Sequence, residues 1–129
     1  MTKLTEKPVL VKVVIPIYRN LNDEEAASLA NTMQILGRHP IAFLLPESFK
    51  GEDFLAQYPQ AEAIRVNDKW LGTRCGIAGY NKMMKQKAFY ELFKTCEYIL
   101  ICHTDAWVFR DELTAWCSKN YDVVAAPWP

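Results

Sequence analysis

The sequence predicts an α/β domain in which an open, mainly parallel sheet carries helices on both faces. Five short runs rich in β-branched and aromatic residues alternate with segments of helical period. The runs are apolar almost throughout rather than at every second position, the pattern of strands covered on both sides. With 129 residues, 50% of them apolar and 23% charged, the chain has the material for one domain with a proper core.

The first strand is Val9 to Ile17 (VLVKVVIPI). Asn22 or Asp23 then stands where a helix cap belongs, and Ala26, Leu29, Ala30, Met33 and Leu36 recur at helical spacing up to Gly37. Ile41 to Leu45 (IAFLL) reads as the second strand. A weaker helical piece over Glu52 to Gln57 is stopped by Pro59, and Ala63 to Val66 is the third strand. A long helix is expected from about Gly79 to Thr95, with Tyr80, Met84, Ala88 and Leu92 as its stripe. The fourth strand is Tyr98 to Cys102 (YILIC). A short helix begun by Asp111 and carrying Leu113, Trp116 and Cys117 leads to a fifth strand over Val123 to Ala126. No internal repeat or low-complexity stretch interrupts this order.

Charge and motifs exclude several functions. Fifteen basic and fifteen acidic residues cancel, so no global field draws nucleic acid or an anionic membrane. No apolar run approaches the roughly 18 residues that span a bilayer. The polar Met1 to Lys7 shows no secretory signal, and a cytoplasmic location is expected. The cysteines Cys75, Cys96, Cys102 and Cys117 form no close pair and read as reduced structural thiols. The G-x-x-x-x-G-K-[ST] phosphate loop is absent. Gly72, Gly76 and Gly79 do not have the dinucleotide spacing; they serve a tight turn or a close approach of backbone to a ligand.

In open parallel sheets ligands bind beyond the carboxyl ends of the strands, so the residues just after each run are the informative ones. These are Tyr18, Arg19 and Asn20; Pro46, Glu47 and Ser48; Asn67 to Trp70; and His103 to Trp107. Strand alternation turns His103 and Asp105 to one side, where they can share a metal or a ribose, and turns Cys102 and Thr104 to the other. Between Arg65 and Lys94 seven basic residues face two acidic ones. Most suit a solvated helix face, but Lys69 and Arg74 lie in a loop near the expected cleft and can neutralise a diphosphate. Trp70 and Trp107 suit core anchors. A flavodoxin-like domain fits the alternation of elements, but the loop Tyr18 to Leu21 lacks the Ser/Thr-rich phosphate site of a flavin.

Three segments carry a resemblance. VKVVIPIYRN resembles the first strand and loop of inverting, family-two-like glycosyltransferases of the GT-A fold; GIAGYNKMM is similar to their G-x-x-x-A-R-N helix entry; and YILICHTDAWVF stands where they carry a strand ending in Asp-x-Asp. Tyr98 to Trp128, with ILICHTDAWVFRDEL and YDVVAAPW, resembles a bacterial domain family of otherwise undefined function classed as glycosyltransferase-like. The likeness covers almost the whole chain.

The resemblance implies a nucleoside diphosphate sugar as donor, a glycan or other hydroxyl acceptor, and metal-assisted sugar transfer. Pro16, Tyr18, Arg19 and Asn20 match the loop that holds the nucleotide base, Glu47 falls near the acidic residue after the second strand, and Asn81 matches the Asn of the helix entry. Asp105 matches the second aspartate of Asp-x-Asp, which binds the Mn or Mg ion bridging the donor diphosphate, with His103 beside it and Arg74 as added charge. His103 replaces the first aspartate, Tyr80 replaces the usual Arg, Pro46 stands where an acidic residue is common, and the glycine spacing is one residue short. These departures bear on metal and donor more than on fold. No catalytic base is nominated. Relatives of this type continue into an acceptor half, so residues 1–129 are expected to be the donor-binding half, inactive alone and prone to self-association. The alternative is a non-catalytic nucleotide-binding or interaction module.

Overall fold

The computed structural model describes residues 9–125. Four strands, β1 (Val9–Pro16), β2 (Ile41–Pro46), β3 (Glu62–Val66) and β4 (Cys96–Ile101), form one open sheet in the order β3-β2-β1-β4. Every pairing is parallel, with Val13 opposite Ile41 and Leu100, and Leu44 opposite Ile64. The helices are α1 (Asp23–Leu36), α2 (Glu52–Gln57), α3 (Gly76–Met84), α4 (Lys87–Glu91) and α5 (Leu113–Cys117). This is the open α/β architecture that the sequence predicts.

The two-sided burial of the strands explains their continuous apolar runs. On one face Val13, Ile15 and Ile17 join Ile41, Phe43 and Leu45 beneath Leu29, Met33 and Leu36 of α1, with Phe54 and Tyr58 of the α2 region packed alongside. On the other, Val14, Leu44 and Val66 meet Met83, Phe89 and Phe93 from the α3 and α4 region. Alternate residues of a strand thus serve opposite cores, and none is left for solvent at the centre of the sheet. β3, at one edge, is mostly exposed and carries the charges of Glu62 and Arg65, which suits an edge strand.

The start of α1 follows its sequence signature. Asn22 Oδ1 accepts from Glu25 N at 2.8 Å and Glu25 Oε1 accepts from Asn22 N at 3.1 Å, a reciprocal capping box.

Two expectations are corrected. The long helix from Gly79 to Thr95 is two helices, broken at Lys85 and Gln86, where Gln86 is extended (φ −89°, ψ 129°). The buried side chains are Met83, Phe89 and Phe93, not the stripe from Tyr80 to Leu92; in one continuous helix the six residues from Met83 to Phe89 turn through about 600° and leave the two about 120° apart, so a break lets both face the sheet. The fifth strand is also absent among the described residues. Val123 to Ala125 share a cleft with residues of β4 but do not enter the ladder, with Val123 83% exposed, and β-branched composition alone does not make a strand without a partner. Met1 to Lys7 and the remainder of the terminal run, Ala126 to Pro129, lie outside the described residues.

All four cysteines are free thiols, with Cys96, Cys102 and Cys117 buried and Cys75 exposed. No helix among the described residues is long and apolar enough to cross a membrane.

Candidate functional site

The chain moves outward from β1 through β2 to β3, then returns to place β4 on the other side of β1. The order reverses between β1 and β4, and the carboxyl ends of these two strands flank the crevice that such a reversal opens. A cleft of about 450 Å³ lies there, lined by Pro16 and Tyr18 from the end of β1, by Leu71, Gly72, Thr73, Gly76, Ile77 and Tyr80 from the loop and helix after β3, and by His103 from the end of β4.

One wall is made of backbone. Gly72 sits at φ 133°, a conformation that L side chains rarely adopt. Gly79, buried in α3, lets the helix settle on the preceding loop: a Cβ there would lie 2.1 Å from the Lys69 carbonyl oxygen. The glycine run therefore serves both the tight turn and a close approach, although the partner in that approach is the chain itself.

The opposite wall ends in His103. Its Nε2 shares a hydrogen bond of 3.1 Å with the Tyr80 hydroxyl, and the two rings meet edge to face at 5.5 Å. Burial pushes the Tyr80 phenol above its usual range, so it stays protonated at neutral pH.

The other predicted site residues are dispersed. Arg19 and Asn20 line a separate cleft of about 400 Å³ on the α1 face, together with Leu29, Phe49, Phe54 and Tyr58. Arg19 makes a two-pronged bond to Glu25, with Nη1 at 2.8 Å and Nη2 at 3.0 Å from the two carboxylate oxygens. Alternation continued three residues past β1 accounts for this: Arg19 follows Ile17 onto the α1 face, whereas Tyr18 follows Pro16 to the other. Glu47 is exposed, and its N–H donates to the Val66 carbonyl. Arg74 is exposed in the loop between Thr73 and Gly76, and Asn81 is exposed on α3 beside Tyr80; neither lines the cleft. Asp105 is exposed, hydrogen-bonds no described residue and lies outside the cleft lining, because β4 ends at Ile101 and its alternation does not carry through the turn at Thr104. Asp68, just after the end of β3, ties two of the strand-exit loops by accepting from Ser48 N at 3.1 Å; the Ser48 side chain and backbone hold its carboxyl below the usual range.

For a divalent ion the donor set is partial. No three His, Cys, Asp or Glu side chains converge among the described residues. Of the expected pair, only His103 lines the cleft; Asp105 lies outside that lining.

A family model described as "Protein of unknown function (DUF5672)" matches residues 60–129. The match takes in the glycine-built wall, Tyr80, His103 and Asp105, and leaves out Pro16 and Tyr18. No curated protein matches the chain.

Proposed function

The chain belongs to this DUF5672 family, and we propose that it binds a nucleoside diphosphate sugar in the cleft between β1 and β4, as the donor-binding part of a glycosyltransferase. The observation that carries the reading is the cleft itself: it sits at the reversal of strand order and joins an aromatic side chain, Tyr18, to a wall that includes the glycines Gly72 and Gly76. A base stacks on an aromatic ring, and a diphosphate needs close backbone and nearby cations. Arg74 and Lys69 supply fixed charge in the loop beside it.

His103 and Asp105 would hold a divalent ion, which when bound neutralises the diphosphate as it leaves. Transfer also requires a base to take the acceptor proton, a role that no residue of the cleft is assigned. A nucleotide-binding module without transfer is the second reading. It is favoured by the Tyr80–His103 bond, which commits one ring nitrogen at the position where the resembling enzymes carry an acid.

Titration with a panel of nucleoside diphosphates, with and without manganese, tests both. Binding that manganese tightens is expected, and Asp105→Ala should lose that increment, about tenfold in affinity, while melting at the parent temperature because its carboxylate is exposed and hydrogen-bonds no described residue. Absence of binding by every nucleotide would overturn the proposal; binding without turnover of any donor sugar would favour the second reading.

A further inference from the structure

One carboxylate bonds the residue after Tyr18 and the residue after His103 without touching the cleft itself. Glu25 opens α1 as the capping-box acid, yet both its oxygens also hold the Arg19 guanidinium, and Oε2 accepts from Thr104 Oγ1 at 3.4 Å. Arg19 in turn lies over the Tyr18 ring, with Cζ 5.5 Å from its centroid. Tyr18 is the β1 wall of the cleft, and Thr104 adjoins His103, the β4 wall.

A helix cap requires only the bond between Glu25 and the Asn22 N–H. The contacts to Arg19 and Thr104 are surplus to capping and reach the two strand-exit loops that the strand reversal separates. Glu25 is mostly buried, with 16% of its side chain exposed, whereas Arg19 is 46% exposed. The carboxylate is thus the fixed member and the loops are what it fixes. Charge-assisted, two-pronged guanidinium pairs hold orientation as well as distance, which suits this task. Arg19 and the Asn22 backbone also hold the Glu25 carboxyl below its usual range, so it is ionised throughout the neutral region.

We infer that Glu25 is a positioning residue that sets Tyr18 and His103 in one spatial relation through Arg19 and Thr104. The inference takes the cleft as a ligand site, as proposed above, but the coupling of its two walls is a property of the free protein. No local pattern signals it, because Glu25 and Thr104 lie 79 residues apart in the sequence.

The test uses Glu25→Gln, since glutamine still accepts from the Asn22 N–H and keeps the cap. Aromatic carbon–proton spectra of the 129-residue chain should show both the Tyr18 and His103 ring signals displaced. Arg19→Met should displace Tyr18 alone, and Thr104→Val should displace His103 alone. UDP, or whichever nucleoside diphosphate the parent binds best, should bind Glu25→Gln about tenfold more weakly, with the variant still folding cooperatively. If Glu25→Gln leaves both ring signals in place, Glu25 is a cap only and the inference falls. Should Glu25→Gln unfold, displacement of either ring by the wrong single variant, or of neither by both, would overturn it equally. A parent that binds no nucleotide but shows the expected ring displacements would sustain the coupling and refute the ligand reading, so the two failures are distinguishable.

Discussion

The chain from Leu71 to Tyr80 and the chain from Cys102 to Leu113 both border the cleft, but they are held by opposite means. The first is shaped by what is missing: Gly72 occupies backbone space closed to other residues, and Gly79 seats α3 against the Lys69 carbonyl. The second is tied down by side chains from α1 and the turn after it. Ser28 Oγ donates to the Ala106 carbonyl at 2.9 Å, Asn31 Nδ2 to the Val108 carbonyl at 2.6 Å, and Asp111 joins Arg38 and His39. A wall shaped by absent side chains is rigid and intolerant of substitution; one stapled by several bonds loses strength in steps.

Gly79→Ala should show the largest effect. The added methyl meets a backbone oxygen at 2.1 Å and Cys75 Cβ at 2.8 Å, neither the end of a flexible side chain. A loss of about 3 kcal/mol is expected in urea unfolding, against less than about 0.5 kcal/mol for Ile77→Ala on the same helix, since Ile77 is 80% exposed. Equal costs for the two variants would break the comparison.

The stapled wall should fail more gently. Ser28→Ala combined with Asn31→Ala removes two bonds to backbone carbonyls, at about 1 kcal/mol each. Hydrogen exchange should then report faster amides over residues 102–108, with those of β1 and β2 as slow as in the parent. Unaltered exchange in that segment would mean that the staples do not hold it.

Asp111 gives the smallest effect at neutral pH and the most specific signature. Burial opposes its ionisation, but bonds from Arg38, His39 and the Leu113 N–H outweigh burial and bring the carboxyl from 3.8 down to about 2. A carboxyl depressed on folding contributes stability that is complete above the unfolded-state value and is lost as the pH falls through the folded one. Asp111→Asn should therefore cost about 1 kcal/mol at pH 7, and the gap between variant and parent should narrow as the pH is lowered from about 4 towards 2. A gap that stays constant over that range would remove Asp111 as the source.

The same contrast marks how far sequence reasoning reaches. Strand exits named Tyr18 and His103, and both line the cleft, because a parallel sheet directs its carboxyl ends to one side. The period of two, followed three residues beyond β1, also separates Arg19 from Tyr18, a signal present in the sequence. Asp105 was less legible, since alternation holds only while the chain stays extended. The break at Lys85 and Gln86 was not legible from period alone: two apolar stripes compete there, and only the position of the sheet selects Met83, Phe89 and Phe93.

By itself the sequence determined the class of the sheet, the burial of β1 and β2 on both faces and the start of α1. Each of these depends on residues a few positions apart, where pattern and propensity act. Tertiary structure alone decided that Val123 and Val124 stay out of the ladder and that Gly79 meets the Lys69 carbonyl. It also decided that Glu25 reaches Thr104, 79 residues away. Such contacts depend on where distant segments come to rest, and no local period encodes the distance between them.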